Sequence, residues 1–493
     1  MPLRYLILRY GSLPRDLRRP SADNTRTPNA CSRTRSAHSL TDAFDHSLTH
    51  SLTHSLTHSI THFPLCAHRP TLTALPPTAL RSPSPHCRRA NTSVVFHAGR
   101  LLALHEGDAP YAVQSASSPT SPTSPTAASS PGGSGGSGGK LLDTIGRHTF
   151  DGRLKHRMTA HPKIDPVTGE LIFFGVSQSD KTEGGAWMHY SVADKDGQLT
   201  EANVPVPLRG PQIMHDIAIT EHCTVVLDFP LFFRMPKPGQ SPYHHVLKAS
   251  TRFGVMPRHP PPGAALPIQW FTASSCFCYH VANAWEHRDL PGGHRGITII
   301  GCRSPHMDQG GLGSSVWRMH RWDLDLDTGK LVEERELCDV QCEFPVVPAR
   351  LVGRPCRFVY AARFVDQGAR MARGAAPAFD GLIKVDVVTG DVVTHMFEGG
   401  ARMRGGEAVF APLRSSRGGG GGGHQSGSME EEEGMLVTFV HDEGEEGDSE
   451  EAILGRCSEM HIIDARTMQV QARVQLPNRV PYGFHGTWVD AVQ

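Results

Sequence analysis

Short apolar runs alternate with polar turns along much of the chain. Such runs lie at Leu171–Gly175, Gly381–Asp386 and Met460–Ile463, and a recurring sequence, D-x-x-T-G-x-[LV], adjoins runs of this type. Its copies are Asp165–Leu171, Asp325–Leu331 and Asp386–Val392, with a weaker copy lacking the glycine at Asp464–Val470. Because Asp and Thr cap tight turns and Gly adopts the positive φ that they need, each copy predicts a β-hairpin.

Hairpins that recur along one chain predict an all-β fold, and a β-propeller is built from repeated four-stranded sheets. A β-sandwich with similar turns is the alternative, but the body of this chain is too long for one sandwich. The 50 Gly and 38 Pro residues break long helices, which excludes a coiled coil or a helical bundle. No apolar stretch reaches about 18 residues, so no membrane-spanning helix is predicted.

Residues 1–90 differ in composition from the rest and do not predict a folded domain. They contain 12 Arg and four Asp but no Lys or Glu, and Ser47–His62 is a four-residue repeat of the type SLTH. A simple-sequence expansion explains this repeat better than a histidine stripe that binds metal. The segment is interpreted as a low-complexity head that is disordered, an organelle transit peptide, or non-coding sequence read as protein.

Two low-complexity inserts are predicted to interrupt the body, which is residues 91–493. One, at about 115–139, contains Ser/Pro/Thr repeats and a Gly-Ser run, and the other, at about 415–451, contains six consecutive Gly and an acidic stretch. Both have the composition of disordered surface segments. The 49 basic and 49 acidic residues of the whole chain cancel, so bulk charge gives no support to nucleic-acid binding.

The 11 cysteines are scattered and odd in number, which favours a reducing compartment. Cys276 and Cys278, like Cys338 and Cys342, have the spacing of a metal half-site. The sequence Cys276-Phe277-Cys278 instead predicts a buried strand, in which free Cys acts as a small hydrophobic residue. Zinc binding by these cysteines is therefore the less favoured interpretation.

Four histidines lie in short sequence segments, here called phrases, in which polar and apolar residues are mixed. They are His161 in Thr159–Lys163, His215 in Ile213–Thr220, His280 in Cys278–Glu286 and His485 in Val480–Trp488. Further characteristic phrases are Asn91–His97, Leu101–Gly107, Arg252–Arg258 and Gly406–Phe410. In these phrases the sequence resembles the carotenoid cleavage oxygenase family, which includes plant 9-cis-epoxycarotenoid dioxygenases and the retinal pigment epithelium isomerase. The resemblance runs from Asn91 to the end of the chain, apart from the two inserts.

The resemblance implies a seven-bladed β-propeller with a single non-haem Fe(II) on its axis. It implies that the iron ligands are His161, His215, His280 and His485, and imidazole is a ligand that suits Fe(II). It also implies three glutamates that hold ligand rings by hydrogen bonds: Glu106 for His215, Glu343 for His280 and Glu407 for His485. An ordinary surface charge is the alternative for each glutamate.

The resemblance implies a dioxygenase that uses O2 to cleave one conjugated double bond of a carotenoid or apocarotenoid into two carbonyl products. An isomerase or hydrolase of retinoid-like esters in the same family stays open, because it would share all four histidines. An inactive propeller that acts only as a binder also stays open. The family's R-N-G-P-N and W-F-D-G-D-G-M phrases are absent upstream of Asn91, so one blade is expected to lack strands.

Two features concern the path of the substrate. Candidates for lining an apolar tunnel are Phe173, Phe229, Phe271, Phe364 and Phe484, although aromatic residues in strands usually belong to the core. The apolar segment Leu231–Pro236 is a candidate for peripheral membrane contact, with plain strand packing as the alternative. The family's habit favours a plastid location, with the cytoplasm as the alternative.

Overall fold

The structure is a computed structural model and describes residues 6–9, 90–115, 142–177, 186–234, 243–261, 266–307, 315–365, 378–413, 430–445 and 448–489. The histidine repeat Ser47–His62 and nearly all of the predicted insert at about 115–139 lie outside these residues. Within them the strands pair antiparallel and the helices are short. The all-β prediction is therefore confirmed for the described part of the chain.

The first strands form successive four-stranded sheets in chain order. The first sheet contains β2 (Ser93–His97), β3 (Arg100–Leu104), β4 (Tyr111–Ser115) and β5 (Leu142–Arg147), and the second contains β6 (Lys163–Ile164), β7 (Leu171–Val176), β8 (Met188–Ala193) and β9 (Leu199–Val206). The third contains β10 (Ala218–Ile219), β11 (Cys223–Asp228), β14 (Thr251–Pro257) and β15 (Gln269–Ala273). Between β11 and β14 the chain forms a separate ribbon of β12 (Leu231–Phe233) and β13 (Tyr243–His245).

The middle of the chain forms one continuous sheet with two parts. Its strands are β16 (Phe277–His287), β17 (Gly296–Ser304), β18 (Arg318–Asp325), β19 (Lys330–Val346), β20 (Phe358–Phe364), β21 (Phe379–Asp386) and β22 (Val392–Met396). The long strand β19 pairs with β18 up to Gln341 and with β20 from Cys342 onwards. It therefore links two four-stranded units.

The last strands bring the chain back to its first sheet. They are β23 (Met403–Arg404), β24 (Val409–Pro412), β25 (Gly434–Asp442), β26 (Glu459–Asp464), β27 (Val470–Gln475) and β28 (Gly486–Val489), with the helix α1 (Glu450–Leu454) between β25 and β26. Within the described residues, short 3-10 turns lie at Pro291–Gly293, Ala349–Leu351 and Gly400–Arg402. Strand β28 pairs with β1 (Leu6–Arg9) and lies beside β2 and β24. The arrangement is propeller-like, and the count of seven blades stays a prediction.

The hydrophobic core lies between neighbouring sheets. Leu104 and Phe173 belong to one buried cluster that joins the first and second sheets, and Tyr190 and Val226 belong to another that joins the second and third. Burial of apolar faces between successive sheets is what a propeller-like arrangement requires. In the described part of the chain, no helix combines the length and the apolar character needed to cross a bilayer.

The four predicted hairpin turns are confirmed. Each turn joins two paired strands, and in each the backbone N–H four residues after the Asp donates to the Asp carbonyl at 2.8–2.9 Å. The residues that donate this bond have φ between 58° and 82°, and they are Gly169, Gly329, Gly390 and Met468. The Asp carboxylates accept backbone N–H groups within the same turns.

The prediction that the second insert extends to about residue 451 is wrong in its second half. Gly434–Asp442 is the mostly buried strand β25, which pairs with both β24 and β26. The preceding acidic residues are anchored as well: the Glu431 carboxylate accepts the Arg357 and Phe358 N–H groups, and Glu432 lies 2.6 Å from Lys384 Nζ. The acidic composition does not predict disorder correctly in this segment, because the acidic residues flank an apolar strand.

Cys276, Phe277 and Cys278 are buried, and Phe277 begins β16, so the predicted buried strand is confirmed. Both cysteines are free thiols. Burial raises the pKa of Cys276 to about 11, which keeps this thiol protonated and apolar in behaviour.

Candidate metal centre

Four histidines from distant parts of the chain meet at one point. His161 precedes β6, His215 precedes β10, His280 lies within β16 and His485 precedes β28. The potential ligand atoms of the four rings all lie within 4.8 Å of one another. The His161 ring centroid is 4.3 Å from that of His215 and 4.4 Å from that of His485. A cluster this tight has the geometry of a mononuclear metal site.

Irregular backbone places His280 in this cluster. The pairing of β16 with β17 shifts register on both sides of Val281, between Cys278 and Asn283, so the strand bulges where His280 lies. A Cβ atom at the facing Gly301 would lie 3.2 Å from the His280 carbonyl oxygen and 3.0 Å from Cys278 Sγ. The bulge therefore depends on close approach by a glycine, and bulges of this type redirect side chains near active sites.

Each of the three glutamates lies at Nδ1 of the histidine to which the resemblance assigned it. Glu343 Oε2 is 2.6 Å from His280 Nδ1, Glu407 Oε1 is 2.9 Å from His485 Nδ1, and Glu106 Oε1 is 2.8 Å from His215 Nδ1. Among the described residues, no carboxylate pairs with His161. A carboxylate at Nδ1 fixes the ring and leaves Nε2 as the atom that faces a cation.

Burial keeps two of the rings neutral. The pKa values of His161 and His280 lie well below the ordinary histidine value, chiefly because burial penalises the charged ring and secondly because the other histidines lie nearby. The Nε2 atoms of both rings are buried and make no hydrogen bond within the described structure. Neutral imidazoles with unused, buried lone pairs fit a divalent metal ion, because ligating histidines must be deprotonated.

The carboxylates of Glu343 and Glu106 have opposite pKa shifts. Glu343 is fully buried, and burial raises its pKa well above normal although the Phe344 N–H donates to its carboxylate at 2.5 Å. The Glu106 side chain is 32% exposed. Burial opposes its ionisation, but the charge and the hydrogen bond of His215 outweigh this and lower the pKa of Glu106 to about 2.

A second irregularity lies beside Glu343. Phe344 has a φ of 55°, in the left-handed region that costs a non-glycine residue about 1 kcal/mol or more, and the pairing of β19 with β20 shifts register between Glu343 and Val346. The Phe344 ring lies 5.3 Å from the His280 ring and 5.2 Å from the His485 ring. The strained backbone thus presents the Glu343 carboxylate and the Phe344 ring to the same cluster.

A cavity of about 690 Å³ opens beside the histidines and includes His215, His280 and His485 in its wall. Of the five predicted tunnel phenylalanines, only Phe484 lines it; the others are Phe173, Phe229, Phe271 and Phe364, which are at most 4% exposed and belong to the core. For these four residues the alternative of core packing is confirmed, because strand aromatics pack between sheets.

Other aromatic residues of the wall are Phe174, Tyr243, Tyr279 and Phe344. Sequence reasoning missed them, although Tyr279 and Phe344 directly adjoin His280 and Glu343 and could have been found by that adjacency. Leu231 of the proposed membrane segment also lines the cavity and is only 1% exposed, which fits packing better than lipid contact.

Comparison with known proteins finds relatives of the chain. The family model described as retinal pigment epithelial membrane protein matches residues 63–490, which begins upstream of Asn91. The carotenoid 9,10(9',10')-cleavage dioxygenase 1 of Pisum sativum is 32% identical over 428 residues, covering 82% of this chain and 67% of the relative. The 9-cis-epoxycarotenoid dioxygenase NCED6 of Arabidopsis thaliana, named as chloroplastic, is 31% identical over 408 residues, covering 82% and 60%.

Solved structures share the fold. The cobalt-substituted apocarotenoid oxygenase of Synechocystis has a TM-score of 0.60 and 22% identity, covering 82% of this chain and 74% of its own. A lignostilbene dioxygenase of Pseudomonas brassicacearum has a TM-score of 0.60 and 24% identity, covering 83% and 77%. With the family match and the pea relative, these findings show that the chain belongs to the carotenoid cleavage oxygenase family, whose named relatives include carotenoid cleavage dioxygenases.

Proposed function

We propose that this protein is a non-haem Fe(II) dioxygenase that cleaves one conjugated double bond of a carotenoid or an apocarotenoid. The observation that carries the proposal is the cluster of four histidines, three of them paired with glutamates, beside a cavity of about 690 Å³. Membership of a family with carotenoid cleavage dioxygenases supports the substrate class. We also propose that the sheets complete a seven-bladed propeller.

His161, His215, His280 and His485 would hold the iron. The chemistry that Fe(II) would supply there is O2 activation, and the two atoms of O2 would become the oxygen atoms of the two carbonyl products. The chain's own task at this point is to keep four neutral nitrogen ligands in place. Glu106, Glu343 and Glu407 do this by fixing three of the rings at Nδ1, which also increases the basicity of the opposite nitrogen.

The cavity wall positions the substrate. Tyr279 and Phe344 lie next to the ligand rings, and Phe484 lies one residue before His485. Flat aromatic and aliphatic side chains bind a polyene by dispersion and exclude water, so that one double bond is held at the centre. Burial raises the pKa of Tyr279 strongly, so its phenol stays neutral and adds no charge to an apolar binding site.

The proposal is tested with the purified full-length chain. We expect about one iron per chain, bound at the four-histidine site. Incubation with β-carotene, with an apocarotenal and with a retinyl ester, followed by mass spectrometry, should give two carbonyl products from at least one of the polyenes. The His280→Ala variant, given the same iron treatment, is the matched control and should form none.

The outcomes separate the candidate activities. Iron-loaded protein that forms no carbonyl product from either polyene would exclude the dioxygenase. Isomerised or hydrolysed retinyl ester without polyene cleavage would favour the other activity within the family. Plastid location and peripheral membrane contact stay predictions; the chloroplastic relative is the support for the first.

A further inference from the structure

Asp216 is a buried carboxylate that no part of the proposed iron chemistry uses. Its side chain is 1% exposed, and it directly follows His215. One oxygen, Oδ1, accepts the Ile217 N–H at 2.8 Å and lies 2.7 Å from Lys163 Nζ. The other, Oδ2, accepts the Val281 N–H at 2.9 Å and lies 3.0 Å from the same ammonium. All four contacts are thus of ordinary hydrogen-bond length.

These contacts join three of the four segments that carry the histidines. Lys163 lies two residues after His161, Asp216 lies one residue after His215, and Val281 lies one residue after His280. The segments are far apart in sequence: the bond from Val281 to Asp216 spans 65 residues, and the bond from Lys163 to Asp216 spans 53. One carboxylate therefore sets the distances between three ligands without touching any ring.

Charge gives Asp216 a second role. Lys163 lies two residues after His161, and its ammonium bonds to the carboxylate that directly follows His215. Unpaired, this partly buried positive charge would repel a divalent cation at the histidine rings. Asp216 neutralises it and at the same time ties it to the His215 segment.

We propose that Asp216 is a positioning residue that holds His161, His215 and His280 at ligand distance and screens the Lys163 charge from the bound metal. This inference rests on the proposed four-histidine metal site and goes beyond it, because Asp216 binds neither metal nor substrate. The three glutamates fix the orientation of single rings, whereas Asp216 fixes the spacing of three chain segments.

The test is titration of the metal-free full-length chain with Co(II) alone. Affinity is obtained from the visible d–d bands, and the shape of these bands reports the ligand geometry. Asp216→Asn keeps the side-chain volume but removes the charge and one acceptor oxygen. The double variant Lys163→Met/Asp216→Asn also removes the ammonium. Asp323→Asn is the matched control, because Asp323 is likewise buried and bound to an arginine and a threonine, on strands β17 and β18.

We expect Asp216→Asn to weaken cobalt binding about 10–100-fold and to shift the d–d bands, as found for groups that support ligands indirectly. The double variant should recover part of the affinity, because the repelling charge is gone, but should keep the altered bands, because the tether is gone. Asp323→Asn should bind cobalt like the unaltered protein.

Several results would overturn the inference. The first is that Asp216→Asn folds, as verified by circular dichroism, and keeps the cobalt affinity and the d–d bands of the unaltered protein. Another is an equal loss in Asp323→Asn, which would indicate general destabilisation. If Asp216→Asn does not fold, the double variant decides, and unaltered affinity and bands there reject the proposal. Failure of the unaltered protein to bind cobalt would instead reject the four-histidine site, and this inference with it.

Discussion

The hairpin turns and the metal centre both depend on irregular backbone, but they are built in different ways. In the turns, an Asp carbonyl and carboxylate bind N–H groups two to four residues later, so the hydrogen bonds that form the turn are local. In the centre, the partners His280 and Glu343 are 63 residues apart and the partners His485 and Glu407 are 78 residues apart. Local bonds can be repeated as a sequence motif, whereas a site made of distant partners occurs once.

The fourth turn shows how robust the local pattern is. Met468 takes the position that Gly occupies in the other copies and adopts a φ of 58°. The turn still forms because the Asp464 carboxylate accepts the Thr467 N–H at 2.7 Å and the Met468 N–H bonds to the Asp464 carbonyl at 2.8 Å. The Met468 side chain is 1% exposed in the core, and this burial offsets the strain.

The largest effect is expected from His280→Ala. Removing one of four neutral ligands, together with the partner of a fully buried carboxylate, should reduce the iron content from about one per chain to near zero. Elemental analysis of the purified protein measures this. The matched control is His461→Ala, because His461 is also buried and pairs with a glutamate at 2.8 Å outside the cluster. Unaltered iron content in His280→Ala would contradict the ligand assignment.

The second largest effect is expected on metal affinity, which should fall by different amounts when Glu343 and Glu106 are replaced. Glu343→Gln should weaken metal binding about 10–100-fold, because Glu343 is fully buried and no water can replace its bond to His280. Glu106→Gln should cost less, since the Glu106 side chain is 32% exposed and water can take its place at His215. Titration with Co(II) measures both. Equal losses would show that burial does not decide the strength of these contacts.

A smaller effect, on folding and not on metal, is expected from Asp386→Ala. The Asp386 carboxylate accepts the Val388 and Thr389 N–H groups and lies 2.8 Å from Arg357 Nη2. Loss of these contacts should lower the free energy of unfolding by about 1–2 kcal/mol, as measured by urea titration. Iron content should not change; a loss of iron would mean that turns and centre are coupled.

The same variant has a predictable pH dependence. Burial opposes ionisation of Asp386, but hydrogen bonds from Arg357 and from the turn lower its pKa below the ordinary aspartate value. A carboxylate with a lowered folded-state pKa stabilises the fold above its unfolded pKa of about 4, and loses this effect as the pH falls further. The difference in unfolding free energy between the unaltered protein and Asp386→Ala should therefore be largest at pH 7 and decrease below about pH 4.

The smallest effect is expected from Gly329→Ala in the second turn. Gly329 has a φ of 73°, and an added Cβ would meet only the flexible Gln269 side chain, at 3.3 Å. Backbone strain of about 1 kcal/mol should therefore account for the loss of unfolding free energy. The control is Gly455→Ala, because Gly455 has a φ of −76° and needs no left-handed backbone. A larger loss in the control would contradict the role assigned to positive φ.

Much of the fold and of the site can be predicted from the sequence, because the information is local. The Asp-x-x-Thr-Gly turns contain the partners of their own hydrogen bonds, and the four histidine segments carry the family resemblance that implies the metal ligands. The predictions that failed concern long-range packing. The acidic composition around residues 430–451 predicts disorder, but Gly434–Asp442 forms a strand that is stabilised by β24 and β26 on either side.

The sequence by itself determined the antiparallel hairpins, because residue type and short spacing specify them. Its resemblance to the family implied the four histidines and their candidate glutamates. Only the tertiary structure decided which aromatic rings line the cavity, where β16 and β19 bulge, and that Asp216 joins three ligand segments. The bulges depend on pairing with a neighbouring strand, and the contacts of Asp216 join residues more than 50 positions apart. Packing of separate sheets, which no local pattern encodes, brings these residues together.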